Sequence, residues 1–498
     1  MMSGLHLSSL PRLADLLPDI VVPSADNPEI SGIAMDSRSV RPGFLFLACK
    51  GLRSHGMMFA ADAIAQGAAA VAWEPDGVEG ANLPLPAIRV ERLGERAGEI
   101  AARFYGRPSE QLDVIGITGT NGKTSIAHYL AQSLDRPEAR AGIIGTLGVG
   151  LYGEAVSSAH TTPDVVSNHR LLAEFLRRGA ATVAMEVSSH ALDQGRVNAL
   201  HFNTAVFTNL SHDHLDYHGS LDAYAAAKRK LFTWPGLESV VINADDAVGA
   251  ELLQQLPSTV RRVACSLRGP MDDLLSVWAD NIEATAIGMA FDLRTPWGEG
   301  RVQSRLVARF NVANLLETAA VLLLRGEDFA SVVQRLEQLR PVAGRMETFG
   351  GDGQPLVIID YAHTPDALQQ ALQAARAHAA DRVICVFGCG GDRDAAKRPE
   401  MGRIAESLAD IAIITNDNPR GEAAEQIVAD IRNGLSAPDL LPVMLDRKAA
   451  IEAALSLAGA DDVVLIAGKG HEDYQIIGKQ RFPFSDRAIV AEWLEARS

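Results

Sequence analysis

Two stretches of the chain alternate short apolar runs with longer amphipathic segments, a pattern typical of parallel sheets covered by helices. The apolar runs that predict strands fall at 113–118, 141–146, 182–187, 203–208 and 239–243, and again at 356–361, 382–388, 410–415 and 462–467. Helices are predicted in the second stretch at 365–379, 397–408, 422–434, 447–458 and 486–497. In such α/β folds, ligands bind at the carboxyl ends of the strands.

Outside these stretches the pattern is less regular. It predicts strands at 44–48, 69–73 and 301–309, a helix that starts near residue 58, a helix at 311–324 and a linker at 340–347. With 498 residues, the chain is long enough for three domains. We predict an N-terminal domain at 1–109, a central domain with a P-loop-type parallel sheet at 110–340, and a C-terminal domain with a Rossmann-like doubly wound sheet at 341–498.

Charge and cysteine content narrow the class of protein. The chain has 46 basic and 62 acidic residues and therefore a net charge of −16. We expect it to bind neither nucleic acid nonspecifically nor the surface of an anionic membrane. The four cysteines lack zinc-like or disulfide-framework spacing, which favours a reducing cytoplasm. No run of 18 apolar residues and no signal peptide is found, so membrane insertion is not expected. A monomer is expected.

A glycine-rich loop joins the strand at 113–118 to a predicted helix. Gly119 and Gly122 give the loop its turns, and Lys123 and Thr124 open the helix. Such a loop directs backbone N–H groups at a phosphate; the lysine would reach the terminal phosphates and the threonine hydroxyl would bind Mg²⁺. The glycine spacing is a variant of the strict pattern, and a tight turn with a chance Gly-Lys-Thr is the alternative.

Polar clusters follow other strands of the first stretch. They are Thr161-Thr-Pro-Asp164, Glu186-Val-Ser-Ser-His190 and the histidine- and aspartate-rich 209–219. A magnesium site beside phosphates, with Glu186 and a histidine such as His214, is one interpretation. Zinc is a competing one, although no cysteine joins in, and an exposed polar loop is the third. Asn243 to Asp246 is equally explained as a turn.

Four polar loops follow strands of the second stretch, at 360–365, 388–393, 415–420 and 468–472. A single such loop is usually a turn, but four at equivalent strand ends predict a second binding face. No guanine-recognition Asn-Lys-x-Asp motif is present, which excludes a GTPase. Motor and transporter ATPases need an acidic residue directly closing an apolar strand, and in the nearest candidate, Val240 to Asp246, the acids are displaced past Asn243 and Ala244.

These motifs together resemble the ATP-dependent Mur ligases of peptidoglycan synthesis, and most closely their MurE branch. The resemblance rests on Asp36-Ser-Arg38, Gly119-Thr-Asn-Gly-Lys-Thr124, Met185-Glu-Val-Ser-Ser-His-Ala-Leu192, Asp213-His-Leu-Asp-Tyr-His-Gly219 and Asp360-Tyr-Ala-His-Thr-Pro-Asp366, which span nearly the whole chain. Folylpolyglutamate synthase shares the nucleotide loop but is not expected to carry the N-terminal domain or the Asp417-Asn-Pro-Arg420 loop.

The resemblance implies that a carboxylate of UDP-N-acetylmuramoyl-L-alanyl-D-glutamate attacks ATP, and that an amino acid then displaces phosphate from the acyl phosphate. It implies a catalytic role for Lys123, Lys228 and His214. It implies Mg²⁺ bound by Thr124, Glu186, His214 and a carbamylated Lys228, a residue that the sequence alone presents as a helix-surface lysine. The ATP-binding residues it implies are Gly119, Thr120, Asn121, Gly122, Lys123, Thr124, Ser125, Asn311 and Arg345.

For the UDP-linked substrate, the resemblance implies Met35, Ser37, Leu52, Arg53, Ser54, Thr161, Thr162, Ser188, Gln194 and Arg196. An exposed serine and arginine in Asp36-Ser-Arg38 would suit a diphosphate, although a simple polar turn is the alternative. The sequence departs from the family at three positions. His160 lies where some members of the family have asparagine, His55 replaces an aspartate, and Ala308 replaces a common glycine.

For the incoming amino acid, the resemblance implies meso-diaminopimelate bound by Arg393, Asp417, Asn418, Pro419, Arg420, Gly468 and Glu472. Arg420 can pair bidentately with the distal carboxylate of diaminopimelate, which lysine lacks. Arg393 would bind the other carboxylate, while Glu472 and the Gly468 carbonyl would accept an ammonium. The alternatives are that Arg420 caps a helix or pairs with Glu422, that the ligase uses L-lysine, or that the protein is a non-catalytic nucleotide-dependent scaffold.

Overall fold

A computed structural model describes residues 10–51, 54–78, 82–285, 288–351, 353–437 and 441–497. The chain forms two compact units. The first comprises Met1–Thr118, Leu134–Ala205 and Asp222–Glu238, and the second comprises Gly119–Ser133, Val206–Leu221 and Ser239–Ser498.

The N-terminal part of the first unit is a four-stranded parallel sheet in the order β1-β2-β3-β4. Side chains alternate across it: Leu45 and Leu47 pack in one core, whereas Phe46 and Ala48 pack in another on the opposite face. The helix expected from residue 58 is shorter than predicted, because a 3-10 turn at Gly56–Phe59 precedes it. The elements are α1 (Leu13–Leu16), β1 (Gly32–Ala34), β2 (Phe44–Ala48), α2 (Ala60–Ala65), β3 (Ala70–Trp73), β4 (Ala87–Arg89) and α3 (Leu93–Tyr105).

The next part of the chain confirms the strands predicted between residues 113 and 208. In the first unit β5, β8 and β6 pair in parallel, and β7 pairs antiparallel with β6. Buried apolar side chains fill these strands, which explains the continuous apolar runs in the sequence. The elements are β5 (Asp113–Thr118), α4 (Lys123–Leu134), β6 (Arg140–Gly145), β7 (Gly148–Leu151), α5 (Val165–Arg177), β8 (Ala180–Glu186), α6 (Ser189–Asp193), β9 (Thr204–Phe207), α7 (Leu215–His218) and α8 (Leu221–Arg229).

A buried histidine lies on α5 of the first unit. His169 is fully buried, and its Nε2 lies 3.1 Å from the Asn198 carbonyl oxygen. Burial lowers the pKa of His169 to about 4, and the bond to the Asn198 carbonyl offsets only part of that shift. The neutral ring is therefore the form that folds, whereas the unfolded chain takes up a proton near pH 6.5.

We expect the free energy of unfolding to fall as the pH drops from about 6.5 towards 4, by ~1.4 kcal/mol per pH unit from His169. The sign follows because the unfolded state binds the extra proton throughout that range. Chemical denaturation at several pH values measures this slope. His169→Gln, which keeps a donor for the Asn198 carbonyl, is expected to flatten it by about one proton. An identical slope in both proteins would contradict the assignment.

The second unit begins with a sheet that turns from parallel to antiparallel. β10, β11 and β12 pair in parallel, and β12, β13 and β14 form an antiparallel meander. The strand predicted at 301–309 is partly wrong, because β14 starts and ends earlier. The elements are β10 (Ser239–Asn243), α9 (Ala247–Gln255), β11 (Arg261–Ser266), β12 (Leu275–Thr285), β13 (Gly288–Thr295), β14 (Gly298–Ser304), α10 (Arg309–Leu324) and α11 (Phe329–Gln338).

Ala308, the residue before α10, has a backbone conformation that suits glycine. Its φ is +82° and its ψ is 135°, and its side chain is 1% exposed. An L-residue in this region is strained by about 1–3 kcal/mol, since its Cβ crowds the backbone. Ala308 is one of the three positions at which the sequence analysis expects a departure from the family, a glycine being expected here.

Ala308→Gly is expected to raise the free energy of unfolding by about 1–2 kcal/mol, because glycine adopts the observed φ without strain. Chemical denaturation of the two proteins measures the change. Ala319→Gly is the matched control: Ala319 is buried inside α10, so the same substitution there should destabilise by about 1 kcal/mol or more. Equal losses at both positions would show that Ala308 is not strained.

The C-terminal part of the second unit is a five-stranded sheet in the order β15-β16-β19-β17-β18, parallel except at β15. Ile358 and Phe387 pack in the core on one face, and Ile359 and Ile384 in the core on the other, as in a doubly wound sheet. The elements are β15 (Glu347–Gly350), β16 (Leu356–Asp360), α12 (Pro365–His378), β17 (Val383–Phe387), α13 (Lys397–Leu408), β18 (Ile411–Ile414), α14 (Ala424–Arg432), α15 (Arg447–Leu457), β19 (Val463–Ala467), β20 (Tyr474–Ile477), β21 (Gln480–Pro483) and α16 (Asp486–Glu495). The predicted α/β class, with parallel sheets in both stretches, is confirmed.

Two further predictions concern membranes and cysteines. Among the described helices, none is long and apolar enough to cross a membrane. The four cysteines are free thiols, and burial raises the pKa of Cys385 and of Cys389 to about 12. Cys389 Sγ lies 3.6 Å from Met401 Sδ, a packing contact. Within the described ranges, no three His, Cys, Asp or Glu side chains cluster in a way that could hold a metal ion.

Candidate active site

The glycine-rich loop lies between the end of β5 and the start of α4. Gly119 has a φ of +147°, and a Cβ on it would lie 1.8 Å from Thr208 Oγ1. Gly122 has a φ of +87°, and a Cβ on it would lie 2.7 Å from Asn314 Oδ1. Both positions therefore require glycine for backbone conformation and for space. The variant spacing of the motif is thus explained by the residues that pack against the loop.

The segment after β9 holds the loop in place. Thr120 N–H donates to the Asn209 carbonyl at 2.9 Å, and Asn121 N–H donates to Asn209 Oδ1 at 3.0 Å. The Thr208 hydroxyl donates to the Asn121 carbonyl at 2.5 Å, and Ser211 N–H donates to Thr120 Oγ1 at 3.0 Å. The loop is therefore rigid before any ligand arrives. Thr208 could not be assigned this role from the sequence, because its position directly after β9 is its only sequence signal.

Lys123 and Thr124 are the first two residues of α4, directly after the glycine-rich loop. The Lys123 ammonium donates to the carbonyls of Gly119 at 2.7 Å and Thr120 at 2.8 Å, which keeps its charge over the loop. Thr124 and Ser125 are buried in the first turn of α4. The N-terminus of this 12-residue helix adds partial positive charge beside the lysine.

Asn311 connects the loop's helix to α10. Its Oδ1 accepts from the Tyr129 hydroxyl at 3.2 Å and from Asn314 Nδ2 at 3.0 Å, and its Nδ2 donates to the Val307 carbonyl at 2.8 Å. It is 2% exposed. These contacts make Asn311 a residue that positions α4, while its predicted contact with ATP stays a prediction.

Arg345 lies in a cluster of aromatic side chains in the second unit. Its guanidinium carbon is 4.7 Å from the centre of the Tyr361 ring, and that ring lies 4.7 Å from His363 and 5.2 Å from His471. Burial and the nearby Arg345 charge lower the pKa of His471 and of His128 to about 4. The cluster therefore presents neutral aromatic rings and one guanidinium at neutral pH.

Glu186 ends β8 in the first unit and is 1% exposed. Its carboxylate accepts from Thr146 N–H at 2.8 Å and from the Thr146 hydroxyl at 3.1 Å. A Cβ on Gly145 would lie 2.2 Å from Glu186 Oε1, so glycine at that position gives the carboxylate its space. A fixed, buried carboxylate is suited to a hard cation.

Polar residues predicted to bind the UDP-linked substrate lie around Glu186. The Thr161 and Thr146 hydroxyls are 3.1 Å apart, and the Thr162 hydroxyl donates to the Glu186 carbonyl at 2.8 Å and lies 3.4 Å from Ser188 Oγ. Nearby, Arg196 Nη1 donates to the Thr162 carbonyl at 3.0 Å. Its Nε and Nη2 donate to Gln194 Oε1 at 2.9 and 2.6 Å. The structure therefore brings Thr161, Thr162, Ser188, Gln194 and Arg196 together.

Other residues predicted to bind the UDP-linked substrate belong to the N-terminal part of the chain. Met35 follows β1, and Ser37 begins a 3-10 turn at Ser37–Ser39 that Asp36 caps. The expectation that this serine is exposed is wrong. Ser37 is only 7% exposed, because it lies inside that turn. Arg38 pairs with Asp36 at 2.6 Å and is largely exposed. Ser54 is exposed, while Leu52 and Arg53 lie outside the described residues.

Lys228 and His214 differ in exposure. Lys228 is 1% exposed, with its Nζ 4.3 Å from the centre of the Tyr224 ring. The sequence-based interpretation of a helix-surface lysine is therefore wrong, because the face of α8 that carries Tyr224 and Lys228 packs inward. His214 directly precedes α7 and has a φ of +52°; it is exposed, and its Nε2 lies 3.3 Å from Asp213 Oδ2. Their predicted roles at a metal stay predictions.

The four loops of the C-terminal sheet meet at one face, as predicted. A Cβ on Gly388 would lie 2.2 Å from the Thr415 carbonyl oxygen, and one on Gly391 would lie 1.9 Å from the Pro419 carbonyl oxygen. Gly468, with a φ of +112°, donates its N–H to the Asp360 carbonyl at 3.1 Å. Glycine is therefore what lets these backbones approach. Asn121 Nδ2 lies 3.4 Å from Asp366 Oδ2, which links the glycine-rich loop to the first turn of α12, directly after the first of the four loops.

Arg420 is held by backbone contacts. Its N–H donates to the Ile476 carbonyl at 3.1 Å, and its Nη1 donates to the Gly391 carbonyl at 2.9 Å. The alternative in which Arg420 pairs with Glu422 is wrong, because Arg398 binds both carboxylate oxygens of Glu422 at 2.8 and 2.9 Å. Arg393 is exposed, and it is the last residue of the loop at 388–393, which also contains Gly391.

Arg398 is a residue that the sequence analysis missed. It is 1% exposed and also donates to Asp430 Oδ2 at 2.8 Å and to the Gly390 carbonyl at 3.2 Å. The carboxylate of Glu422 raises the pKa of Arg398 further above its usual range. Arg398 thereby ties the loop of Gly390 to the segment after Arg420. An arginine in the first turn of a helix gives no sequence signal of this role.

Comparisons with known proteins cover nearly the whole chain. The family descriptions that match are "Mur ligase family, catalytic domain" at residues 29–105, "Mur ligase middle domain" at 117–322, and "Mur ligase, glutamate ligase domain" at 344–470. A UDP-N-acetylmuramoyl-L-alanyl-D-glutamate--2,6-diaminopimelate ligase of Xanthomonas oryzae pv. oryzae is 50% identical over 488 residues, 98% of each chain. The ligase of that name from Pseudomonas aeruginosa is 51% identical over 470 residues, 93% of this chain and 95% of the relative.

A solved structure of a UDP-N-acetylmuramoyl-L-alanyl-D-glutamate--2,6-diaminopimelate ligase has a TM-score of 0.72 to this chain. It is 33% identical, and the alignment covers 98% of this chain and 99% of that one. Similarity of this extent, together with the three family descriptions that match, identifies the family and its reaction class. The chain belongs to the Mur ligase family of ATP-dependent ligases.

Proposed function

We propose that the protein joins meso-2,6-diaminopimelate to the D-glutamate carboxylate of UDP-N-acetylmuramoyl-L-alanyl-D-glutamate, with conversion of ATP to ADP and phosphate. This is the MurE reaction of peptidoglycan precursor synthesis. The observation that carries the proposal is the setting of Arg420, which shares a loop face with the largely buried carboxylate of Glu472. A guanidinium and a carboxylate at one face complement the carboxylate and ammonium of an amino acid. The relatives that bear this activity in their names support it.

The first step forms an acyl phosphate. A carboxylate is a poor electrophile, and it must be activated before an amine can attack it. Its oxygen attacks the γ-phosphorus of ATP, and ADP leaves. Lys123 and the backbone N–H groups of the glycine-rich loop would hold the phosphates, with Gly119, Thr120, Asn121, Gly122, Thr124 and Ser125 forming that cradle. Their contribution is positioning and neutralisation of charge that develops on the phosphoryl oxygens. The aromatic cluster around Arg345 is the proposed neighbour of the nucleotide.

The second step forms the amide. The amine of diaminopimelate attacks the acyl carbon, and inorganic phosphate leaves with the bonding electrons of the acyl–oxygen bond. Arg420 would hold the distal carboxylate and Arg393 the other one, while Glu472 and the Gly468 carbonyl would accept an ammonium. Asp417, Asn418 and Pro419 shape this loop. Lysine has no distal carboxylate, and its ammonium would face Arg420, so the same residue gives affinity and discrimination.

Mg²⁺ is proposed as the metal, bound by Thr124, Glu186, His214 and a carbamylated Lys228. The residues fit a hard cation: Glu186 is a buried carboxylate held by Thr146, and Thr124 offers a hydroxyl at the start of α4. When bound, Mg²⁺ supplies charge neutralisation for the phosphates. A carbamate would turn the buried Lys228 from a cation into an anionic oxygen ligand.

The UDP-linked substrate is proposed to contact Met35, Ser37, Leu52, Arg53 and Ser54, and the group formed by Thr161, Thr162, Ser188, Gln194 and Arg196. The proposed domains are residues 1–109 for this substrate, 110–340 for ATP, and 341–498 for the amino acid. A cytoplasmic location is proposed because the cysteines are free thiols. We propose that the enzyme acts as a monomer.

ADP release in the presence of Mg²⁺, the UDP-linked dipeptide and either meso-diaminopimelate or L-lysine tests the proposal. We expect turnover to require all substrates, with kcat/KM for lysine lower by about 100-fold or more. Equal turnover with lysine would contradict the assigned specificity. ATP binding without phosphate release, with every substrate supplied, would identify a non-catalytic scaffold instead.

A further inference from the structure

A buried lysine lies beneath the proposed amino-acid site. The Lys469 side chain is 0% exposed, between the two glycines of the loop after β19. Its ammonium donates to Glu472 Oε2 at 3.0 Å and to Asn418 Oδ1 at 3.1 Å, and it lies 3.5 Å from Asp417 Oδ1. Its three N–H donors thus match three oxygens of the residues proposed to hold the acceptor.

Glu472 is fixed by this contact and two others. Asn418 Nδ2 donates to Glu472 Oε2 at 2.8 Å, and the Tyr474 hydroxyl lies 3.4 Å from Glu472 Oε1. The Glu472 side chain is 11% exposed. A carboxylate with three protein donors has acceptor positions left for one further ammonium, and its orientation is set before that ammonium arrives.

The hairpin of β20 and β21 fixes Asn418 and Asp417, the other two partners of Lys469. Ile476 N–H donates to Asn418 Oδ1 at 2.9 Å, and Gln475 Nε2 donates to the Asp417 carbonyl at 2.8 Å. The Arg420 backbone pairs with the same hairpin, since Gly478 N–H donates to the Arg420 carbonyl at 2.7 Å. Lys469, the hairpin and the loop of Arg420 therefore form one connected network.

The charges of the network also favour an ammonium ligand. Lys469 faces two carboxylates, Asp417 and Glu472, and can neutralise only one of them. The neighbouring Arg447 forms a fully buried pair with Asp486 at 2.7 Å and adds no net charge. Arg420 is the other cation of the network, and it is the residue proposed to bind the distal carboxylate of the ligand. With Arg420 paired to that carboxylate, one protein carboxylate is left to attract one ammonium.

We infer that Lys469 is a positioning residue for the acceptor amino acid: it orients Glu472 and Asn418 and sets the charge of the site to receive one ammonium. The inference rests on the proposed function, because it concerns the site of the incoming amino acid. Without Lys469, Glu472 loses its strongest donor and two carboxylates share a buried site. Their repulsion would turn Glu472 away from the position in which it meets the ligand.

Lys469→Met keeps the length of the side chain and removes its charge. We expect KM for the acceptor to rise at least about tenfold, with KM for ATP and for the UDP-linked dipeptide within about twofold of wild type. A general loss of structure would instead change all three. Lys448→Met is the matched control, since Lys448 forms an exposed pair with Glu452 in the same part of the chain and should leave the kinetics unchanged.

A double-mutant cycle separates positioning from an independent effect. If Lys469 acts through Glu472, then Lys469→Met/Glu472→Gln should have an acceptor KM within about threefold of Glu472→Gln alone. Effects of the two substitutions that multiply would overturn the inference. The double variant removes one cation and one anion, so this comparison still decides the matter where Lys469→Met alone does not fold.

Failure of the proposed function gives a different result. A wild-type enzyme that turns over another amino acid and not diaminopimelate would contradict the proposed substrate. The same cycle measured with that other acceptor would still test Lys469. An acceptor KM that is unchanged in Lys469→Met, beside wild-type turnover of diaminopimelate, would overturn only the inference about Lys469.

Discussion

Lys228→Ala is expected to lower kcat by about 1,000-fold, equivalent to about 4 kcal/mol of transition-state stabilisation. Lys228 is 1% exposed and packs over Tyr224, so its side chain faces the interior of the first unit. A carbamate on its nitrogen would place a carboxylate-like ligand in a buried setting, where charge interacts strongly with a divalent cation. Steady-state ADP release with saturating substrates measures the loss.

Chemical rescue distinguishes a lost carbamate from a lost lysine. A small carboxylic acid such as formate or acetate should restore part of the activity of Lys228→Ala, because it can occupy the space and supply the oxygen ligands. Wild-type protein in ¹³C-bicarbonate should show a carbamate carbon resonance that Lys228→Ala lacks. Full activity of the alanine variant without additive would refute the carbamate.

Lys230 supplies the matched control for that variant. It lies two residues further along, is about half exposed, and pairs with Asp193 at 3.1 Å. Lys230→Ala truncates a lysine of the same segment to the same residue, and we expect a kcat within about twofold of wild type because an exposed pair contributes little. Thermal unfolding of both variants shows whether either substitution disturbs the fold. A comparable loss in Lys230→Ala would assign the effect to the segment and not to Lys228.

The parallel strands could be predicted because they are buried on both faces and so appear as continuous apolar runs. The meander of β12–β14 was largely missed for the opposite reason. Its exposed face carries paired charges, such as Arg301 with Asp292 at 3.1 Å and with Glu283 at 3.0 Å, which look like loop sequence. The β20–β21 hairpin was missed because all four residues of β21 are exposed.

The site shows the same division between local and long-range signals. Residues at strand ends, such as Glu186 and Arg420, could be found because their position in the pattern predicts a binding edge. Thr208, Arg398 and Lys469 act through partners distant in sequence, and no local pattern marks them. For Lys228 a signal existed: Tyr224, Lys228 and Leu231 share one helical face with buried neighbours, which indicates an inward-facing lysine.

Arg420→Ala is expected to lower kcat/KM for meso-diaminopimelate by about 100- to 1,000-fold, since truncating one member of a buried charge pair costs roughly 2–5 kcal/mol. KM for ATP should stay within about twofold of wild type, because Arg420 is not among the residues proposed to bind ATP. Arg420→Lys keeps the charge but loses the two-pronged geometry, so it should recover only part of the loss. Competition between diaminopimelate and lysine as acceptors measures the specificity directly.

The backbone at Arg420 makes alanine the informative substitution. Its φ is +50°, a left-handed conformation that costs an alanine about as much as an arginine, so the truncation leaves backbone strain unchanged. Arg403→Ala is the control: Arg403 is exposed and lies 3.8 Å from Glu400, so its loss should leave both acceptors unaffected. If Arg420→Ala retained wild-type preference for diaminopimelate over lysine, discrimination would have to come from another cation of the loop face, and Arg393 would be the next residue to replace.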